Sequence, residues 1–421
     1  MVKQFFIFVP CFCIIAIMNK DKKFSLLILI TALFGIGMVL SDIYVNIFIW
    51  RLKNNFSMIC VYLMATYAVI PLFFYLNGIL ARHLDRVIIY RAGIAFYAAF
   101  YLSVILLGEK VSGHLIEIGI LKGLAMGFYW FGYHILTFDY TSESNRDKFY
   151  GQISAISAAS SMIAPPVAGY IIVKMSAFTG YYVVFSLTSV LFIAAVLLAS
   201  GLKSEPVKHP YRIMDLIFPS NSRWRGVMLG FLFISMRDAI TMFIFAVLIV
   251  KVTGSEFTLG KVAMFFSVVG VISAWLISKK GSPKKRLNYI LYGSIIQFIV
   301  SLLLVYKLDF TMLLINAFFT PIADNLIRIP LNAHSLDVIA EDRDSDMRKM
   351  EYIAARDFPI AAGRITMLVV FMWLINSIPA EAVKIIIFTV SLVPFGIWLA
   401  LKSAPPAHPK QHAEAVNSQE A

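Results

Sequence analysis

The chain has 421 residues, of which 60% are apolar and only 14% charged, with a mean hydropathy of +0.80. That balance lies outside the range of soluble globular domains and makes the chain an integral membrane protein. Its formal charge of +13 does not point to nucleic acid, because Lys and Arg fall in short clusters between apolar runs, as membrane topology requires.

The amino terminus opens with an apolar run of about 14 residues, Phe5 to Met18, too short to span a bilayer comfortably. No small-residue cleavage site follows it, which argues against a signal peptide. Asn19-Lys20-Asp21-Lys22-Lys23 then precede a full-length apolar run, the pattern of a cytoplasmic amino terminus, so residues 1–17 read as a dispensable extension. Cys11, Cys13 and Cys60 all lie in apolar runs and offer neither an even count nor a zinc spacing.

Twelve membrane-spanning helices follow, at 24–50, 56–80, 92–108, 114–136, 150–173, 180–201, 226–250, 257–278, 288–306, 310–335, 352–376 and 381–401. The longest connection, Leu202 to Arg225, contains Pro206, Pro210 and Pro219 and divides the spans into two sixes. The expected organisation is an amino-terminal segment 1–23, a six-helix bundle 24–201, a central loop 202–225, a second bundle 226–402 and a tail 403–421. With the amino terminus inside, inward segments hold about two dozen Lys and Arg against about six in outward loops, a strong positive-inside bias. Both termini are therefore expected in the cytoplasm. The basic loop Arg82 to Arg91, between spans 2 and 3, has a counterpart at Lys279 to Arg286, between spans 8 and 9, which points to an internal repeat.

Ionised residues inside the spans are the main functional signal. Span 7 carries Arg237 and Asp238 near mid-depth, where each costs roughly 2.5–3.5 kcal/mol to insert, so they should face a wet cavity or partner charges. Being adjacent, they point ~100° apart, which sends one to the cavity and the other to a neighbouring helix. Asp42 lies in span 1, Lys122 in span 4, and Asp324 with Arg328 in span 10, the last two spaced i, i+4 on one face. A purely structural ion pair is the competing reading.

Two motifs link these spans to a known family. Between spans 2 and 3 the chain reads Gly78-Ile79-Leu80-Ala81-Arg82-His83-Leu84-Asp85-Arg86-Val87, and in span 5 it reads Ser160-Ser161-Met162-Ile163-Ala164-Pro165-Pro166-Val167-Ala168-Gly169. With twelve spans in two sixes, the chain resembles the major facilitator superfamily of transporters over roughly residues 24–402. Gly78, Leu80, Ala81 and Arg86 match that family's GxLADRxGRR signature. Arg82 fills the acidic slot, and Asp85 either replaces the missing acid or the latch it makes is lost. Pro165 and Gly169 match the exporter pattern GxxxGPxxGG, with small residues in its other slots, where the alternative is a kinked, tightly packed span. The resemblance implies a central cavity lined by spans 1, 4, 7 and 10, the four that carry the mid-depth charges.

Candidate roles follow. An acid in a poorly solvated cavity can load and release a proton near neutral pH, so Asp42, Asp238 and Asp324 are the proton-coupling candidates, Asp238 first by depth, with bordering water as the competing reading for Asp42. Lys122, Arg237 and Arg328 either make the cavity suit an anionic or polar substrate or simply neutralise the three acids. Tyr129 with Tyr133, and Trp130 with His134, share faces of span 4 and either contact substrate or pack. Arg356, Asp357 and Arg364 open span 11, where Asp357 and Arg364 share a face. They suit an inward gate with Asp139, Arg146 or Asp147, and Arg364 is deep enough to reach substrate. Asp85, Arg86, Pro165 and Gly169 complete the gating set.

No metal-ligand cluster, phosphate-binding glycine loop or ATP-binding domain is present in the sequence, so no catalytic residue, metal or cofactor is expected and the chain is not read as an enzyme. The expected function is secondary active transport of a small molecule by alternating access in the plasma (cytoplasmic) membrane, by a monomer. Export by proton antiport is the first reading and proton-linked uptake of a polar or anionic metabolite the second. A non-transporting receptor or lipid-handling protein on the same scaffold is the third.

Overall fold

The computed structural model describes residues 22–141, 143–204, 211–342 and 345–403. Residues 1–17 and the tail beyond 403 lie outside them. The described residues form twelve helices long and apolar enough to cross a membrane. These are α1 (Lys22–Lys53), α2 (Phe56–Leu80), α3 (Arg86–Leu107), α4 (Leu115–Tyr140), α5 (Glu143–Lys174), α6 (Thr179–Ala199), α7 (Ser222–Thr253), α8 (Glu256–Lys280), α9 (Arg286–Tyr306), α10 (Phe310–Ala340), α11 (Ser345–Ser377) and α12 (Ala382–Lys402). A single helical turn, Met214–Ile217, interrupts the central linker.

Helix is what these runs must form, since the hydrocarbon layer offers no water to a peptide N–H or C=O. Several helices outrun their apolar stretches, because hydrogen bonding continues into the polar interface until a cap ends it. Thus α3 starts at Arg86, where the Asp85 carboxylate accepts from the Val87 N–H at 2.8 Å, and not at 92. Asn55, Asn221, Ser255 and Asp309 cap α2, α7, α8 and α10 in the same way.

The helix pairs repeat. Contacts α1–α5, α1–α6, α2–α4, α3–α4 and α3–α6 recur, six helices on, as α7–α11, α7–α12, α8–α10, α9–α10 and α9–α12. Two bundles joined by a pseudo-twofold relation result, and the joints between them obey the same relation, α2 against α11 and α5 against α8. Both ends of the twelve-helix array, Lys22 and Lys402, lie on one side, here called the terminal face.

The α5–α8 joint shows how close approach is achieved. Pro165 has no N–H, which frees the Ser161 carbonyl one turn back, and the Ser267 hydroxyl of α8 donates to that carbonyl at 3.3 Å. Near the opposite face, a side chain on Gly169 would sit 2.4 Å from the Glu256 carbonyl oxygen. One on Gly260 would sit 2.5 Å from that of Pro165.

Candidate functional site

Four ionised side chains meet where α7 faces α10. Arg328 Nη2 donates to both Asp238 oxygens at 2.6 Å, and its Nε to both Asp324 oxygens at 2.8 Å. Arg237 Nη2 donates to Asp238 at 3.1 Å and also to Asp324. Each carboxylate thus touches both guanidinium groups, and the quartet is neutral. Arg237 and Asp238 are buried, whereas the side chains of Asp324 and Arg328 are 25% and 38% exposed. The expected divergence of Arg237 from Asp238 does not occur. A long arginine side chain can bend across a ~100° offset, and the attraction of Asp324 on α10 draws it there.

A second ion pair crosses α1 and α4. The Lys122 ammonium donates to Asp42 and lies 5.8 Å from the Tyr62 ring and 5.4 Å from that of Phe100. Lys122 is buried, but the Asp42 side chain is 42% exposed. Every cation of this set is therefore paired with an acid, which favours neutralisation over a positively charged cavity.

The quartet lines a cavity of about 380 Å³ whose walls come from α1, α7, α8 and α10. Thr241 and Thr320 lie one turn from the quartet, and Asn316 a further turn along α10. Met242, Phe245, Ile249, Leu259, Val262 and Leu313 make the remainder apolar. Two adjoining hollows share Ser267 with it: one between α5, α8 and α10 that reaches Asp324, the other beside Asp42.

The α4 aromatics are placed otherwise. Tyr129 stacks on Phe34 at 3.5 Å and is enclosed by Tyr90, Tyr97 and Tyr133 inside the first bundle, so its ring is a packing element and not a cavity wall. Trp130 stands edge-on to Tyr129 and is 38% exposed.

On α11, the Arg356 guanidinium lies 4.6 Å over Phe231 and that of Arg364 4.6 Å over Tyr67. Asp357 is within electrostatic reach of both but, among the described residues, pairs directly with neither. The expected link from this run to Asp139 is not made, because Asp139 pairs with Arg86 at 2.6 Å and accepts from the Ser204 hydroxyl at 2.7 Å. The Asp147 side chain is exposed, and that of Arg146 lies outside the described residues. Asp85 likewise stays within the first half of the chain, accepting from the Val87 and Ser204 N–H groups. Gly78 of the same motif admits the ring of Tyr211 from the central linker, which a side chain would meet at 2.2 Å. Burial, with Glu351 and Asp357 nearby, pushes the Tyr211 phenol well up, so it stays neutral.

Pro165 and Gly169 adjoin a cluster that sequence reasoning missed. Buried Glu256, at the start of α8, accepts from Arg51 of α1 at 2.8 Å and from the Tyr181 hydroxyl of α6 at 2.7 Å. Tyr44 of α1 donates to the Pro165 carbonyl at 2.6 Å and to that of Glu256 at 3.3 Å. The cluster ties the bundles together at the face opposite the termini. An acid in the first turn of a helix ordinarily complements the helix dipole, so Glu256 carried no special signal. Tyr67, Asn316 and Thr320 were missed because uncharged polar residues are common in any span.

The family model for the Major Facilitator Superfamily matches residues 24–343. The chain belongs to the major facilitator superfamily. As a member it is a multi-pass membrane transporter. Among relatives, it is 33% identical to the uncharacterized protein YqgE of Bacillus subtilis (strain 168) over 364 residues, 86% of this chain and 85% of that one. An uncharacterized protein in the sodM 3' region of Geobacillus stearothermophilus is 35% identical over 165 residues, 39% of this chain and 77% of that one. Solved superfamily structures share the fold at low identity. The nucleoside transporter NupG aligns with a TM-score of 0.70 at 12% identity, covering 91% of this chain and all of that one. A bacterial homologue of the iron transporter ferroportin, inward-facing, aligns at 0.63 and 13%, covering 90% of this chain and 100% of that one. A bacterial homologue of the lysosomal transporter Spinster, also inward-facing, aligns at 0.64 and 13%, covering 92% and 100%.

Proposed function

We propose that this superfamily member is a proton-coupled secondary transporter that moves a small molecule by alternating access, with export by antiport as the direction. One observation carries the reading. Each bundle buries an ion-paired group across equivalent helices, α1 with α4 and α7 with α10, beside hollows that share Ser267. Buried ion pairs are weak stabilisers, so a pair kept in each half beside one cavity suits a transport site more than a structural brace.

The contacts favour Asp42 over Asp238 as the proton carrier. Asp238 and Asp324 are each held by two guanidinium groups, whereas Asp42 has one partner and opens on a hollow. Protonating Asp42 removes the charge that holds Lys122, changing the α1–α4 contact at the cavity wall. The quartet keeps α7 and α10 together while the two bundles rock. Closure at the opposite face comes from Glu256 with Arg51, Tyr181 and Tyr44. The small residues of α5 against α8, an exporter-type feature, support the direction.

The basic residues between α2 and α3 and between α8 and α9 sit on the terminal face, which supports a plasma membrane orientation with both termini cytoplasmic. Function as a monomer completes the reading.

The test is movement in sealed proteoliposomes under an imposed pH gradient, using compounds found by thermal-shift screening of metabolites and toxic cations. Asp42→Asn is expected to lose pH-driven movement and retain counterflow exchange. Unchanged coupling in that variant removes Asp42 from the mechanism. Binding without accumulation in the unaltered protein contradicts transport and indicates a receptor.

A further inference from the structure

We infer that Tyr211 of the central linker is a removable wedge in the α2–α11 joint, holding the terminal face open while its ring is seated; the inference rests on the alternating-access reading above. On α2, Phe56, Tyr67 and Gly78 recur at eleven-residue intervals, which is three helical turns and about 20°, so all three share one face. That face meets α11. Phe56 lies against Phe371 with ring centroids 5.8 Å apart, and Tyr67 lies under the Arg364 guanidinium at 4.6 Å. At Gly78, nearest the terminal face, the linker takes over: the Tyr211 ring fills the space where a Cβ on Gly78 would meet it at 2.2 Å, and the Tyr75 ring stands beside it with centroids 6.2 Å apart. Glu351 and Asp357 of α11 are within electrostatic reach of the Tyr211 phenol, and the N–H of Arg212, the next residue, donates to Glu351 at 2.7 Å. The ring therefore stands where the terminal ends of α2 and α11 adjoin.

The linker carries this ring on the second bundle. Arg348 of α11 donates to Asp215 at 2.6 Å and to Glu351 at 2.8 Å, and the Trp224 indole N–H of α7 donates to the Leu216 carbonyl at 2.9 Å. Arg212 to Leu216 are thus fastened to α7 and α11, whereas the ring is seated in α2 of the first bundle. The Tyr211 hydroxyl has no hydrogen-bond partner among the described residues, so the ring is held by its volume and leaves its slot without breaking a hydrogen bond of its own. The opposite face is the closed one in this structure, through Glu256 and the close contact of α5 with α8. Rotation that opens it brings the terminal ends of α2 and α11 together, into the space that the ring occupies. Packed joints switch between discrete arrangements, so a ring that fits one of them and obstructs the other biases the equilibrium toward the first.

The test uses the full chain in nanodiscs, its native cysteines replaced, with spin labels at exposed residues 82 and 284 of the terminal face or 110 and 307 of the opposite face. Tyr211→Ala is expected to raise the ratio of short to long 82–284 distances about tenfold and to lengthen the 110–307 distance. Gly78→Ala leaves the linker unaltered but gives the ring no room, and is expected to move both distances in the same senses. Tyr211→Phe keeps the volume and drops only the unpartnered hydroxyl, and is expected to change neither. The inference is overturned by distances that stay fixed in both alanine variants, by a longer 82–284 distance, which makes Tyr211 a clasp, or by a Tyr211→Phe response equal to that of Tyr211→Ala. Glu256→Gln in the same labelled protein separates the two readings. If it shifts both distances and Tyr211→Ala does not, rocking stands and the wedge fails. If Tyr211→Ala shifts them but no compound accumulates in proteoliposomes, the wedge stands and the transport reading fails.

Discussion

Asp324 accepts from both Arg237 and Arg328, so removing its charge leaves two guanidinium groups around the single carboxylate of Asp238. Stranding a charge in a buried pair costs about 3–5 kcal/mol, and the partial opening of Arg328 to the cavity brings the loss toward the lower figure. Asp324→Asn should therefore lower the thermal unfolding temperature of the solubilised protein markedly. Adding Arg237→Gln should recover part of the loss, because the double variant is neutral again. Simple additivity of the two losses contradicts a coupled quartet. Much of this arrangement was legible in the sequence. Charges at mid-depth in spans 1, 4, 7 and 10 are expensive enough to demand partners, and i, i+4 spacing alone pairs Asp324 with Arg328. The convergence of Arg237 and Asp238 was not legible, since angular offset describes where Cβ points and not where a long side chain ends. Tyr129 shows the reverse limit: an aromatic run reads alike whether it lines a cavity or fills a bundle.

At the level of helix pairs, the proposed closure of the opposite face rests on the close contact of α5 with α8. Val at position 260 cannot fit against the Pro165 carbonyl, and Glu256→Gln gives up the charge that Arg51 answers. Either change should loosen the opposite face. Cavity-lining Ala263→Cys, in a protein whose native cysteines are replaced, gives a reporter: a membrane-impermeant maleimide added at that face should label it about tenfold faster in either variant. Equal labelling rates remove Glu256 from gating. The proline and small residues of α5 announced a close helix contact, and the Ser161 carbonyl freed by Pro165 is answered by Ser267 as helix chemistry requires. Which helix would supply that answer was beyond local pattern. The expected gate from α11 to Asp139 failed for a related reason, because proximity to Arg86 and Ser204 was set by how the α2–α3 turn and the central linker fold back.

For the whole molecule, hydropathy and basic-loop spacing carried the architecture. Twelve long runs admit only helices, and two matched basic loops imply the repeat that the helix contacts display. A repeat with joints at α2–α11 and α5–α8 has a mechanical consequence, since rotation about those joints opens one face as it closes the other. Pairs of spin labels report this motion most directly: one pair at exposed residues 110 and 307 on the opposite face, another at exposed residues 82 and 284 on the terminal face. With Glu256→Gln in the labelled protein, rocking predicts that the 110–307 distance lengthens while the 82–284 distance shortens. Two distances that stay fixed, or that change in the same sense, contradict it.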